Sequence, residues 1–364
     1  TRPTQGVRNG RPCSHSTRSA PPLDCSSSST PNGIAPKVAP RMCTALCGFH
    51  AHPTLLLLLA MNRDEFLQRE AQPSHFWPDA SPELLAGRDV VSGGTWLGIS
   101  RSGRFGFLTN SREGNSTPAD DSSVVSRGGL VTNFLLGSET PEAYLQGLDC
   151  SQYNGFNLVV GSLGGDDSGM AYVNSRECSV QVLSPGVHGV SNGPMHSPHW
   201  PKVDAGKEAL RTYLSSLPGI SGGPPPFPRG GLPGDRCDRG TWRVHHRASR
   251  AIWLLLTCRP PAGVNPKDAV QRILSTRDEC PDRDRLPQSP LGSEAESSLC
   301  PIFVEEMLLK GRPYGTRSQI VLAVQRDGHV IFYENYRGAS GQWKEVAHDF
   351  HINLGGHPST KNEL

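Results

Sequence analysis

The chain has 364 residues, of which 35% are apolar and 19% charged, with a formal net charge of +2. That length allows one large domain or two modest ones, and the near-neutral charge gives no reason to expect a nucleic-acid or membrane-surface partner. The apolar share is thin for a globular chain because 40 Gly and 32 Pro crowd into particular stretches; outside those stretches the composition is ordinary.

Residues 1–41 are rich in Ser, Pro, Arg and Thr and show no hydrophobic period. Such a segment buries too little surface to offset its ordering entropy. It is basic, with Asp24 its one acid, as a transit peptide would be; the simpler reading is a disordered extension, or sequence not translated in the native protein, ahead of a domain that starts at Met42.

From Cys43 the texture changes. Residues 43–49 and 54–61 read as two strands around His50-Ala51-His52-Pro53. The run Leu55-Leu56-Leu57-Leu58-Leu59-Ala60-Met61 is too short to span a bilayer, which takes about 20 residues, and lacks signal-peptide flanks. It reads as a buried strand, in a protein that is not transmembrane. Strands follow at 83–87, 95–100 and 105–109, with Ser102-Gly103 as a tight turn. Residues 127–136 and 141–148 suit helices, the second with Pro141 at its first position. Strands return at 156–161, 170–174, 179–183 and 188–190. The apolar spacing of Val203, Ala205, Ala209, Leu210, Tyr213 and Leu214 predicts a helix over 201–217. A last helix is expected near 302–310, then a hairpin of 318–325 with 330–335 through Arg326-Asp327-Gly328. Runs of strands, then helices, then strands again describe an α+β chain and not a doubly wound parallel sheet.

Two stretches break the pattern. Residues 220–264 hold Gly-Gly-Pro-Pro-Pro and Pro-Arg-Gly-Gly without any period, and a structureless loop of that length counts against membership of the fold. They are expected to be a disordered insertion or retained non-coding sequence. Residues 282–298 read as a polar linker. The ten cysteines are scattered with no Cys-x-x-Cys pair, which favours free thiols in a reducing compartment.

Four features could carry chemistry. Met42-Cys43 would leave Cys43 as the first residue after trimming, with a thiol beside a free amine whose intrinsic pKa lies near neutrality and which can serve as base; alone, the dipeptide is as well read as an ordinary buried Cys. Asn62-Arg63-Asp64-Glu65 sets an Arg and two carboxylates at the end of a buried strand, where they could fix an amine and lower a thiol pKa, or form a surface turn with a weak salt bridge. Gly93-Gly94-Thr95-Trp96-Leu97-Gly98 brackets an aromatic with glycines that permit close approach. Asn110, Asn157 and Asn192, at strand ends, can supply uncharged donors to an oxyanion, or sit in turns.

These segments, with Arg127-Gly128-Gly129-Leu130-Val131, Trp200-Pro201-Lys202 and Tyr314-Gly315-Thr316-Arg317-Ser318, fall in the order found in the NRDE family, also called the transport and Golgi organization protein 2 family, which the chain resembles over nearly all of 42–350. The resemblance implies one NRDE domain over 42–364 with a four-layer α-β-β-α sandwich of the N-terminal nucleophile hydrolase type. It implies Cys43 at the nucleophile position, Arg63 and Asp64 as its supports and Asn192 as the oxyanion residue. Asn62, Glu65, Trp96, Asn110, Asn157 and Arg317 are then ligand-binding candidates. The family's associations are with Golgi organisation, protein secretion, and lipid, mitochondrial and haem homeostasis. A cytoplasmic protein with Golgi or mitochondrial association is therefore expected, one that holds a small hydrophobic ligand such as haem or an acyl-lipid. Whether it is an enzyme is left open by a hydrolase-like fold alone: the alternatives are a Cys43 amidohydrolase acting on a small acylated amine, and an adaptor with no ligand. Cys280-Pro281 and Cys300-Pro301 resemble haem-regulatory dipeptides, but about one such pair is expected by chance at this composition, and they carry little weight.

Overall fold

The computed structural model describes residues 42–112, 125–165, 168–197, 200–219, 263–279, 283–287, 289 and 291–354. The expected extension 1–41 lies outside them, as does all but the end of the expected insertion 220–264. Val264, at that end, is fully buried and belongs to the folded core.

The first two strands, β1 (Cys43–His52) and β2 (Leu55–Phe66), form a hairpin. The chain then leaves to build a seven-stranded meander: β3 (Ala71–Phe76), β4 (Leu84–Asp89), β5 (Leu97–Ser100), β6 (Arg104–Asn110), β7 (Phe156–Ser162), β8 (Gly169–Asn174) and β9 (Val180–Val182), paired in that order. It returns with β10 (Gly186–Val190), β11 (Met307–Leu309), β12 (Arg312–Gln325), β13 (His329–Arg337) and β14 (Trp343–His351). These complete a second sheet in the order β10-β1-β2-β12-β13-β14, with β11 paired to β12. Every pairing in both sheets is antiparallel.

Side-chain alternation along each strand sorts the apolar residues into three interfaces. Between the sheets lie Ala45, Cys47, Phe49, Leu57, Leu59 and Met61 from the β1–β2 hairpin, facing Leu85, Leu97, Ile99, Phe105, Phe107 and Val159 of the meander. The opposite parity of the hairpin, Leu46, Leu58 and Ala60, packs on α3 (Pro201–Ser216) and on α4 (Pro266–Ala269), which runs on into a π-helical turn, Val270–Leu274. The outer face of the meander is covered by α1 (Gly128–Leu136) and α2 (Pro141–Gln146). Helix, sheet, sheet, helix: the expected four-layer α-β-β-α sandwich is the fold of this chain. No helix among the described residues is long and apolar enough to cross a membrane.

Several expectations change. Asn62, Arg63, Asp64 and Glu65 are not a turn after β2; the strand runs through them to Phe66 and all four are buried. The helix expected near 302–310 is replaced by β11, because Lys310 and Gly311 both take positive φ, at 52° and 73°. Two successive positive-φ residues make a hairpin turn and cannot continue a helix. The linker expected over 282–298 contains a helix, α5 (Ser293–Ser298), that buries Glu296. Strands β3 and β14 had no sequence signal, being edge strands with Pro73 in one and a largely polar run in the other. The cysteines are not all free: Cys150, just before β7, and Cys178, just after β8, form a disulfide, while Cys43 and Cys47 are buried free thiols. Pairing of β7 with β8 brings those two strand ends together, which no spacing rule could show.

Candidate functional site

Cys43 opens β1 opposite Arg63 of β2, and its inward parity points the thiol between the sheets at one end of the sandwich. Three elements close around it. From the end of β10, Ser191 Oγ donates to the Cys43 carbonyl at 2.8 Å and Asn192 Oδ1 accepts from the Cys43 nitrogen at 3.2 Å. From β2, the Asp64 carbonyl accepts from Cys43 Sγ at 3.9 Å. From β12, Tyr314 O–H donates to that same carbonyl at 3.2 Å and Thr316 Oγ1 donates to Asp64 Oδ1 at 2.7 Å. The Cys43 nitrogen here is the amide of the Met42–Cys43 peptide, and the Met42 nitrogen bonds the Tyr314 hydroxyl.

This surrounding is dry. Burial, followed by the charge of Asp64, pushes the Cys43 thiol up to about 12. Arg63 acts in the opposite direction without reversing it, so the charged cluster does not lower the thiol pKa as the sequence suggested. Burial likewise raises Asp64 to about 7, against the opposing charge of Lys202 and the Thr316 hydrogen bond. Lys202 is itself buried, with Nζ on the Leu299 carbonyl at 3.1 Å. Asp64 Oδ2 is buried and has no hydrogen-bond partner.

Beside the thiol is a cleft of ≈ 280 Å³. Of the candidates, Cys43, Arg63, Asp64, Glu65, Trp96 and Asn110 line it. Arg63 lies with its guanidinium carbon 4.2 Å from the Trp96 ring centroid and its Nη2 3.3 Å from Asp89 Oδ2. Asp89 also takes a forked pair of bonds from Arg69, at 2.7 and 3.0 Å. Burial alone would raise the Asp89 carboxyl; the Arg69 bond and charge, helped by Arg63, outweigh it and hold it below the ordinary value. The Gly94 backbone is pressed against Gly128 at the start of α1: a Cβ on Gly94 would lie 2.4 Å from the Gly128 carbonyl carbon. That close approach is what the glycines of the Trp96 segment provide, and it forms one wall of the cleft.

The remaining candidates stand elsewhere. Asn62, of outward parity, donates through Nδ2 to the carbonyls of Leu274 and Ile302 at 2.9 and 2.8 Å, fastening the helical layer to β2. Asn157 is an internal hub: it donates to Thr109 Oγ1 at 3.1 Å and accepts from Tyr172 O–H and Asn174 Nδ2, both at 2.8 Å. Asn192 is fully buried, with Nδ2 on the Asn110 carbonyl at 2.7 Å, so it meets Cys43 as an acceptor at its nitrogen. Arg317 lines a smaller adjacent pocket. Sequence reasoning passed over Arg69, Asp89 and Arg127, which line the cleft, and Tyr314, Thr316 and Lys202, which sit behind Cys43. Arg127, Tyr314, Thr316 and Lys202 lie inside segments that carry the family resemblance, Arg127-Gly128-Gly129-Leu130-Val131, Tyr314-Gly315-Thr316-Arg317-Ser318 and Trp200-Pro201-Lys202, of which the sequence marks Arg317 alone as a candidate.

Fold and cleft together define a two-sheet sandwich with a cysteine at the head of its first strand and an Asn-Arg-Asp-Glu run on the second. The family model for transport and Golgi organisation 2 matches residues 42–219 and 262–339, and the chain belongs to that family. It is 36% identical over 288 residues to the transport and Golgi organization protein 2 homolog of Homo sapiens, covering 76% of this chain and 85% of the relative. To the Bos taurus homolog it is 29% identical over 308 residues, covering 81% and 92%. Among solved structures it is similar to a conjugated bile acid hydrolase from Clostridium perfringens, with 11% identity, a TM-score of 0.38, and 86% and 97% of the two chains covered. A likeness of that size carries no argument about activity.

Proposed function

We propose that this protein serves transport and Golgi organisation by holding a small acyl-bearing ligand in the cleft beside Cys43. The observation that carries the reading is the mixed lining. Val91 and Val125, 67% and 47% exposed, sit on it with Trp96 and Leu108, against the guanidiniums of Arg63 and Arg127. The apolar patch stands beside six charged side chains, Arg63, Asp64, Glu65, Arg69, Asp89 and Arg127, and this division suits a ligand with an apolar chain and a polar head. Haem suits it less well. Of the side-chain types that ligate haem iron, the lining among the described residues offers only Cys43, whose thiol burial keeps protonated. The test is titration of the full chain with a fluorescent long-chain acyl probe, alongside hemin. Saturable acyl binding, competed by unlabelled ligand and lost in Trp96→Ala, is expected; absence of saturation with the acyl probe would sink the proposal, and a saturable hemin spectrum would redirect it to haem.

A second reading, an amidohydrolase acting on a small acylated amine, has one specific support. Removal of Met42 would turn the Cys43 nitrogen into an amine 3.2 Å from Asn192 Oδ1 and close to Asp64. With Met42 attached that nitrogen is an amide and cannot act as a base. N-terminal sequencing combined with an acyl-amide panel decides it: turnover that is equal in wild type and Cys43→Ala dismisses the mechanism. Cytoplasmic residence with Golgi or mitochondrial association is part of the proposal. The Cys150–Cys178 disulfide argues for contact with an oxidising compartment, so fractionation should be read together with the redox state of that pair.

A further inference from the structure

Sharing the stacked pair of Arg63 and Trp96 with the cleft is a second pocket of ≈ 20 Å³ walled by Arg63, Trp96, Arg317, Glu334, Tyr336 and Arg337. Three guanidiniums therefore surround a space of about two water molecules, one water needing roughly 10–15 Å³. Arg63 has Asp89 at 3.3 Å and Arg337 has Glu306 at 2.9 Å. Glu334 takes the Ser74 N–H at 2.6 Å, and its burial raises its pKa, which makes it a poor permanent counter-ion. Arg317 differs. It donates to the Arg69 carbonyl, and among the described residues no carboxylate lies within ion-pair distance of it. The chain places it there by a local irregularity: β12 pairs Thr316 with Asp64 and then Ser318 with Arg63, so Arg317 is one extra residue inserted against β2. A bulge of this kind re-aims a side chain, and bulges collect beside functional sites. Burial, followed by the charge of Arg63, presses its pKa down to about 10 against the opposing charges of Glu65 and Asp89. Trp96, only 7% exposed, has an indole N–H with no acceptor.

We propose that this pocket receives a single carboxylate group, held by the Arg317 guanidinium fork with the Trp96 indole as a further donor. Two oxygens match both the fork, which binds carboxylate in a bidentate way, and the volume; a tetrahedral phosphate needs more room. The assignment does not depend on what the larger cleft holds.

The experiment is calorimetric titration of the full chain at pH 7 with sodium acetate, sodium phosphate and sodium chloride at matched ionic strength, with tryptophan emission followed in parallel. Saturable acetate binding, at least tenfold tighter than phosphate or chloride, is expected. Arg317→Met should weaken it at least tenfold, and Arg317→Lys should restore only part, since an ammonium is a point charge and not a fork. Should Arg317→Met fail to fold, Arg337→Met, at a side chain paired with a surface Glu, should weaken acetate about threefold. Unsaturable acetate, phosphate binding as tightly as acetate, or wild-type acetate affinity in Arg317→Met or Arg337→Met would each overturn the assignment. Acetate held by Arg63 or Arg127 in the cleft would survive Arg317→Met and acetate held here would not, so a failure of this assignment is distinguishable from a failure of the acyl probe.

Discussion

Asn62→Ala separates a structural role from a ligand-binding one at the first letter of the family's signature. In the fold, Asn62 Nδ2 holds two carbonyls, Leu274 at 2.9 Å and Ile302 at 2.8 Å, in a fully buried setting. Leu274 keeps a second donor in Gln319 Nε2 at 3.1 Å; for Ile302 Asn62 supplies the bond. Each intramolecular bond is worth about 1 kcal/mol net, and a buried acceptor left unmade costs about 1–3 kcal/mol. The two together give a loss of roughly 2–4 kcal/mol, which for a domain of this size is a fall in Tm of roughly 5–10 °C. Chemical denaturation with circular dichroism measures the first figure and a thermal scan the second. Binding of an acyl probe to the folded variant should be unchanged, since Asn62 points away from the cleft. A variant with wild-type stability that no longer binds the probe would refute the assignment of Asn62 to the helical layer.

Three further outcomes are expected. The raised value of Asp64, about 7 against an ordinary 3.8, means that its protonated form is favoured in the fold. Its contribution to stability is then fully present below about pH 4 and is lost as pH rises through about 7. Asp64→Asn should therefore flatten the decline in urea midpoint between about pH 4 and 7, and an unchanged slope would count against the burial argument. Gly94→Ala should cost about 1–3 kcal/mol by overpacking, because its Cβ would meet the Gly128 backbone at 2.4 Å; it should also weaken cleft binding, and a variant with normal stability would show that α1 shifts freely. Cys150→Ser opens a link across a sequence separation of 28, a loop whose closure is worth about 3–4 kcal/mol in the chain-entropy picture. The Tm gap from wild type should vanish when both proteins are measured in reductant, and a gap that persists would mean the disulfide is not what stabilises that corner.

Much of the sandwich was legible because burial on alternate sides leaves a period in the sequence. Leu57, Leu59 and Met61 against Leu58 and Ala60 mark a strand covered on both faces, and Asp327-Gly328 marks the hairpin that Gly328 closes with φ at 86°. Edge strands escaped for the opposite reason: β14 exposes most of its residues, so hydrophobicity gives it no signature. The candidate site was half legible. Cys43, Arg63, Glu65 and Trp96 meet in the cleft as their segments suggested. Asp89 could not be found, because its importance comes from Arg63 and Arg69 converging on one carboxylate.

What the sequence determined by itself was composition, periodicity and order: an α+β chain and the run of segments that marks the family. Which way each polar side chain of a strand points was decided by tertiary structure, since parity has meaning only once both faces are covered. One residue separates Asn62, bound to the helical layer, from Arg63, bound in the cleft. The state of the Cys43 thiol was decided the same way. The Asn62-Arg63-Asp64-Glu65 cluster could have lowered its pKa, and the burial produced by packing two sheets and the end of β10 around it raised the pKa instead, because removing solvent penalises a thiolate more than one nearby guanidinium can offset.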